Sequence, residues 1–388
     1  MYQIQLYNKI AAIGTSRFGA NYTYSEDVKN PDAILVRSAA LHDLTFNPEL
    51  KAIARAGAGV NNIPVDRCAD AGIVVFNTPG ANANAVKELV VCALMLASRD
   101  VILGANWAQG LSDTESADVA KQVEKGKSQF GGCEIKGKKL GVIGLGAIGA
   151  LVANAAKDLG MEVLGYDRFL TVENAWKLSR DVKRTEDIDE IFSTCDYITV
   201  HIPSTPETRN TFNKDSIAKM KDGVRLINFS RADLANADDI KEALASGKVA
   251  RYVTDFPTAE LLGVKGLIAI PHLGASTEES EDNCAVMAVD ELKEFLEKGN
   301  IRNSVNYPNV DLPHTGDVRI CVMHKNLPGV LGNITAFLSD NGINVENMVN
   351  RSKKDYAYTI LEIKGALPAD AADKIAAMEN IIRVNVIA

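Results

Sequence analysis

Lys139-Leu140-Gly141-Val142-Ile143-Gly144-Leu145-Gly146-Ala147-Ile148-Gly149 is the stretch on which the reading of this chain turns. Lys139–Ile143 is a short apolar run that reads as a buried strand, and the residues after the glycines, up to Gly160, read as a helix. Between them stands Gly-x-Gly-x-x-Gly, in the strand-to-helix context that gives the motif meaning. Gly144 permits a tight turn, Gly146 lets the backbone approach a pyrophosphate, and Gly149 lets helix and strand pack closely. Ala147 and Ile148 open the helix, whose unpaired N–H groups favour phosphate. About 20 residues on, at the end of the strand Met161–Asp167, Asp167 supplies the acid that bonds a ribose and repels a 2′-phosphate. The cofactor expected is NAD, with Arg168 leaving some NADP use open.

Downstream, Tyr197–His201, Val224–Phe229, Arg251–Asp255 and Leu267–Ile270 read as further strands of the same unit. Upstream, Ala33–Arg37 and Gly72–Phe76 read as strands, with Asn47–Ala54 and Val86–Ala97 as helices. This alternation predicts a second parallel sheet. A long helix follows Ser276, expected as its N-cap with Glu279 as capping-box partner, and Gly299 ends it. Ile301–Gly316 reads as a linker. The remainder spells strand, helix, strand, strand, helix, strand, the split ferredoxin-like order. The fold class expected is α/β: two doubly wound parallel-sheet domains, Rossmann-like and flavodoxin-like, plus a C-terminal ferredoxin-like βαββαβ domain. The expected boundaries are 1–95 plus 276–303 for a discontinuous substrate domain, 96–275 for the cofactor domain, 304–316 for a linker and 317–388 for the C-terminal domain.

Composition narrows the function. The 388 residues are 46% hydrophobic and 24% charged, ordinary for a globular protein. The net charge of −8, without a basic block, disfavours nucleic acid and anionic membrane as partners. Met1–Ile10 lacks a signal-peptide pattern, and the apolar run Leu89–Ala97 is far below the roughly 20 residues needed to span a bilayer. The six cysteines are scattered without Cys-x-x-Cys, which predicts reduced thiols, a cytoplasmic setting and no metal site.

Oxidation or reduction of a small 2-hydroxy acid needs a cation for the carboxylate, a base at the hydroxyl and a group that sets the base. Strand ends after the glycine loop offer Arg231 in Asn228-Phe229-Ser230-Arg231, His272 in Pro271-His272-Leu273-Gly274, and Glu260 after Asp255. Strand ends of one open sheet converge on one crevice. His42, His201 and His314 read as packing or capping residues, although His201 ends a central strand beside the cofactor loop.

With Arg55-Ala56-Gly57-Ala58-Gly59-Val60-Asn61-Asn62 and Asn77-Thr78-Pro79, these segments make the chain resemble the D-isomer-specific 2-hydroxyacid dehydrogenases along nearly its whole length. The resemblance implies that Arg231 binds and polarises the substrate, that His272 is the acid/base, and that Glu260 orients it. It also implies that Gly59, Val60 and Asn61 offer amides to the carboxylate, and that Thr78, Pro203, Phe229 and Asp255 line the cofactor. Ala232 stands where the family has glycine, and Leu261 where it has proline after the glutamate, so the Glu260 loop departs from the family's pattern. Arg37 and Arg55 match positions that face the phosphate in members acting on 3-phosphoglycerate, which is the substrate expected. Reduction of glyoxylate or hydroxypyruvate is the alternative, and an NAD-sensing binding protein is a remote one. The C-terminal residues resemble an ACT domain, an amino-acid-sensing module. His324, Asn326 and Asn344 match serine-contacting positions, so L-serine is the implied effector and a homodimer or homotetramer the implied assembly.

Overall fold

The computed structural model describes residues 1–112 and 115–387. Asp113 and Thr114, in the expected cofactor domain, and Ala388, the last residue of the expected C-terminal domain, lie outside the described residues. The chain forms two compact units, Met1–Asn82 with Glu278–Ala388, and Ala83–Thr277.

The first unit opens with β1 (Tyr2–Tyr7), β2 (Tyr22–Ser25), β3 (Ala33–Val36), β4 (Ala52–Arg55) and β5 (Val74–Phe76). They form a parallel sheet in the order β2-β1-β3-β4-β5, the flavodoxin-like arrangement expected. The expected helix Asn47–Ala54 is corrected here. The Asn47 side chain accepts from the Leu50 N–H at 2.8 Å and closes a turn. The following residues pair Ala33 with Ala52 and Val74 with Ala52 as the middle strand of a ladder. Alanine favours helix when solvated, but here Ala52 and Ala54 supply the small surface that one core cluster needs, and Ile53 fills the other.

The second unit holds β6 (Lys139–Ile143), β7 (Glu162–Tyr166), β8 (Lys183–Thr185), β9 (Tyr197–Val200), β10 (Val224–Asn228), β11 (Val249–Thr254) and β12 (Leu267–Ala269). Their order is β12-β11-β10-β9-β6-β7-β8, all parallel. The helix Ala83–Ser98 belongs to this unit and not, as the 95/96 boundary expected, to the first. Its Val86, Val90, Ala93, Leu94 and Ala97 pack with Leu140, Val142, Val152 and Ala153.

The helix Glu278–Lys298 returns the chain to the first unit. Ser276 is not its N-cap: its N–H donates to the Leu273 carbonyl at 3.0 Å in a preceding turn, and Thr277 is the residue before the helix. The residues read as a linker are stitched to the first sheet. The Asn306 amide bonds Val75 N at 2.9 Å and Ile73 O at 2.8 Å, and the Tyr307 hydroxyl donates to Ala69 O at 2.7 Å. The chain then forms β13 (Val318–Lys325), β14 (Val345–Lys353), β15 (Tyr356–Ile363) and β16 (Ile381–Ile387). These make an antiparallel sheet in the order β14-β15-β13-β16. One face packs on its own helices through Ile320, Val322, Ile334, Leu338 and Leu361. The other shares a core with the first sheet, where Cys321, Met323, Tyr358 and Ile360 join Ile4, Leu292 and Phe295.

Candidate active site

The second unit carries a glycine turn built for close approach. Gly144 has φ +93°, and a Cβ there would lie 2.5 Å from the His201 carbonyl oxygen. At Gly149 a Cβ would lie 1.8 Å from the Gly144 carbonyl oxygen, so helix and turn touch only because the residue is glycine. Gly146 has nothing within 4 Å of its Cβ position, which leaves open space at the N-terminus of the helix Ala147–Asp158. Asp167 lies past the end of β7. Its carboxylate accepts from Leu145 N at 2.7 Å and Phe169 N at 2.7 Å, which ties it to the turn itself. An open helix N-terminus, a backbone cradle and a fixed acid fit a dinucleotide.

The end of β10 is shaped by Asn228, which is fully buried. Its Oδ1 accepts from Ser230 N at 3.1 Å and Arg231 N at 3.3 Å. Its Nδ2 donates to Arg231 O at 2.8 Å and the Tyr252 hydroxyl at 3.1 Å. The neighbouring Ser230 hydroxyl donates to Val200 O at 2.7 Å. Arg231 therefore leaves the sheet from a turn fixed at several points, with its side chain exposed.

Arg231 and His272 meet around one aromatic ring. The Arg231 guanidinium carbon lies 5.8 Å from the Phe256 ring centre, and the His272 ring 4.4 Å from it. Beneath them Asp255 is 1% exposed. Its Oδ2 accepts from Gly274 N at 3.2 Å, while its Oδ1 has no hydrogen-bond partner among the described residues. Burial raises the pKa of Asp255 above its ordinary value, against the opposing fields of His272 and Arg231. An orphaned, buried acceptor beside the histidine is what a nicotinamide carboxamide would satisfy.

Glu260 does not join them. It is exposed and makes no hydrogen bond or ion pair to His272 among the described residues. Its own backbone N–H holds its carboxyl below the ordinary value. This is the loop where Leu261 replaces proline, and Leu261 is buried in the core at 3% exposure. Phe229 is buried, and Pro203 is exposed with its carbonyl accepting from the Thr208 hydroxyl at 2.7 Å. His201, read as a packing or capping residue that also borders the cofactor loop, follows β9 directly, with its Nε2 3.0 Å from the Thr199 hydroxyl and its Nδ1 without a partner among the described residues. Burial drives its pKa down to about 3, so the ring is neutral at any physiological pH.

Within the first unit, Arg37 and Arg55 stand together, the Arg55 Nε donating to the Arg37 carbonyl at 3.0 Å. The Arg55 guanidinium packs over Gly57, whose Cβ position lies 2.8 Å from Nη1. The loop carrying Gly59, Val60 and Asn61 is held by Asn77, whose Nδ2 donates to Ala58 O at 2.6 Å, and by Thr78 N, which donates to Gly57 O at 3.1 Å. Asn61 is exposed and Thr78 is fully buried. Two neighbours escaped sequence reading. Glu281 pairs with Arg37 at 2.5 Å, and the buried Cys284 has its thiol pushed up by desolvation beside Thr78, Arg55 and Arg37.

In the C-terminal sheet His324 is 2% exposed, with Nδ1 2.8 Å from Lys325 O and Nε2 2.9 Å from the Thr359 hydroxyl. Both ring nitrogens are engaged within the C-terminal sheet. Asn326 is exposed, and Asn344 lines a concavity with Thr335, Ser339 and Met348. Among the described residues no group of three or more His, Cys, Asp or Glu could hold a metal ion. No helix there is long and apolar enough to cross a membrane.

The family described as D-isomer specific 2-hydroxyacid dehydrogenase, NAD binding domain, matches residues 104–274. A D-3-phosphoglycerate dehydrogenase of Methanocaldococcus jannaschii is 33% identical over 328 residues, 82% of this chain and 59% of that protein. One from Haemophilus influenzae is 30% identical over 352 residues, 88% of this chain and 82% of that protein. The chain thus spans less than two thirds of the first relative's length and most of the second's. Among solved structures, the NAD+-bound 3-phosphoglycerate dehydrogenase of Entamoeba histolytica superposes with a TM-score of 0.61 at 24% identity, covering 79% of this chain and 98% of its own, a likeness of fold.

Proposed function

The chain belongs to the D-isomer specific 2-hydroxyacid dehydrogenases, and from that membership we propose that it oxidises 3-phosphoglycerate to 3-phosphohydroxypyruvate with NAD, the step that commits carbon to serine. The observation that carries the reading is the convergence of Arg231 and His272 on Phe256 above the orphaned Asp255 acceptor. Gly144, Gly146, Ala147, Ile148, Gly149 and Asp167 would hold the pyrophosphate and ribose, with Thr78, Pro203, Phe229 and Asp255 around the rest. NAD supplies the hydride acceptor. Arg231 grips the substrate carboxylate in a two-bond fork and polarises the reacting carbon. His272 takes the hydroxyl proton at its ring nitrogen, and in reduction returns it. Glu260 orients His272 only after its carboxylate turns toward the ring. The loop amides of Gly59, Val60 and Asn61 bind the carboxylate, and Arg37 and Arg55 bind the phosphate.

The βαββαβ unit is read as an ACT domain that senses L-serine through His324, Asn326 and Asn344 in a cytoplasmic homodimer or homotetramer. The pairing of Arg37 with Glu281 favours the second reading, a glyoxylate or hydroxypyruvate reductase, since a neutralised arginine suits an uncharged substrate tail. Turnover of 3-phosphoglycerate and of glyoxylate, followed by NADH absorbance, decides between them. The main reading expects His272→Ala to abolish turnover, and Arg37→Ala and Arg55→Ala to raise KM for 3-phosphoglycerate selectively. Equal KM increases for glyoxylate would overturn it. L-serine titrated into the same assay is expected to slow it.

A further inference from the structure

We propose that Asn228 is a positioning residue: its buried amide holds the main chain at 230–231 so that the Arg231 guanidinium is presented to the substrate in one fixed geometry. The inference rests on the reading of Arg231 as the carboxylate-binding cation.

An amide has two acceptor sites and two donors, and Asn228 uses donors and acceptor on both sides of the turn. Its oxygen receives the N–H groups of residues 230 and 231, and its nitrogen donates back to the carbonyl of 231. Arg231 is therefore clamped by its N–H and its C=O to one side chain. The clamp has its own anchor, because the same nitrogen donates to the hydroxyl of Tyr252, a residue of the neighbouring strand β11 that is 2% exposed. Ser230 ties the turn to β9 on the opposite side. No other described side chain bonds both the N–H and the C=O of Arg231. The guanidinium itself is loosely held, with one bond to the Ser230 carbonyl at 2.6 Å. Its aim is thus set at the backbone. Misplacing a positioning group by about 1 Å can cost on the order of a hundredfold in rate. Aspartate at 228 would keep the acceptor for the two N–H groups and lose the donor to Arg231 O. Alanine would lose all of it and leave buried backbone groups unpaired.

The test compares Asn228→Ala, Asn228→Asp and Tyr252→Phe with the unaltered chain in three measurements. These are steady-state kinetics with 3-phosphoglycerate, NADH affinity by fluorescence, and binding of oxalate, a dicarboxylate probe for the guanidinium, to the NADH complex. The expected result is an oxalate affinity and kcat/KM lowered about tenfold or more in Asn228→Ala, and less in Asn228→Asp and Tyr252→Phe, with NADH affinity within about twofold throughout. A merely structural role would lower NADH and oxalate affinity together, and that result, or unchanged oxalate binding in Asn228→Ala, overturns the proposal. If Asn228→Ala does not fold, the same criteria apply to Asn228→Asp. A wild-type chain inert toward 3-phosphoglycerate whose oxalate binding still depends on Asn228 would sink the substrate reading and leave this inference standing.

Discussion

Glu281 and Glu291 lie on one helix and are in opposite electrostatic situations. Glu281 is half in solvent and paired with Arg37. Exposed pairs of this kind contribute about 0–1 kcal/mol, so a dianionic phosphate can displace the carboxylate. Removing its charge in Glu281→Gln should lower KM for 3-phosphoglycerate by roughly twofold to fivefold, the equivalent of that energy. A raised KM would show that the carboxylate supports the site and does not compete with substrate. Glu291 is 6% exposed, with Oε1 accepting from Asn303 Nδ2 at 2.7 Å and Oε2 unpartnered among the described residues. Burial, reinforced by the neighbouring Asp290 charge and only partly opposed by Asn303, pushes its pKa from 4.5 up to about 8. The native state thus holds a proton that the unfolded chain has released between those values. Stability from this group is complete below 4.5 and is lost as pH rises through about 8. Glu291→Gln should leave unfolding near pH 4.5 little changed. At pH 9 it should stabilise the chain by on the order of a few kcal/mol in urea titrations. A variant less stable than the parent at pH 9 would contradict this account.

The glycine turn is where sequence and structure agree most closely, because its requirements are local: a strand, a φ of +93° at Gly144, and no side chain where helix meets turn. Its two later glycines make separable predictions. Gly146→Ala meets open space, so melting temperature should hold while NADH affinity falls, because the methyl occupies the ligand's approach. Gly149→Ala drives a Cβ to 1.8 Å from a carbonyl oxygen, so both melting temperature and NADH affinity should fall. Equal behaviour of the two variants in thermal melts would refute the division. Other features were legible only in part. Arg231 and His272 were readable as strand-end residues, and the open-sheet rule predicted their meeting. Phe256, the ring between them, carried no signal of its own. Glu281 and Cys284 were invisible because a helix far along the chain brings them to Arg37. The Asn47–Ala54 error has the same origin: alanine's local preference was overruled by two flanking strands. Glu260 shows a subtler limit, since counting from Asp255 fixed its position but not its direction once Leu261 packs into the core.

At the scale of the molecule, the C-terminal sheet is part of the first unit's core. The E. histolytica structure matches over 98% of its length using 79% of this chain, so a fold of this kind exists at that smaller size. Here, however, the face of β13 and β15 that carries Cys321, Met323, Tyr358 and Ile360 is buried with Leu292, Phe295 and Tyr307. At one edge of that face Arg319 and Glu362, neither exposed, pair at 2.6 Å. Arg319 also donates to the carbonyls of Lys298 and Leu312 and to the Asn300 side chain, binding the end of the returning helix to the sheet. Burial alone would raise the pKa of Glu362. The hydrogen bonds from Arg319 and Thr315 prevail and hold it at about 2, below its ordinary 4.5. A depressed carboxyl contributes stability that is present above 4.5 and is lost as pH falls through about 2. Acid unfolding of the first unit should therefore steepen in that window. Glu362→Gln leaves a buried guanidinium uncompensated and should cost about 3–5 kcal/mol at neutral pH. Replacing both partners, Arg319→Met with Glu362→Leu, should recover much of that loss, because apolar pairs of similar volume fill such sites without the desolvation penalty. Chemical unfolding of the two variants at pH 7 and pH 3 checks the argument. If the C-terminal sheet were an independent module resting on the first, Glu362→Gln would melt it alone and leave the unfolding of β1–β5 unchanged. If the core is shared, both melt in one transition, and an effector held by this sheet acts on the same cooperative unit that carries Arg37 and Arg55.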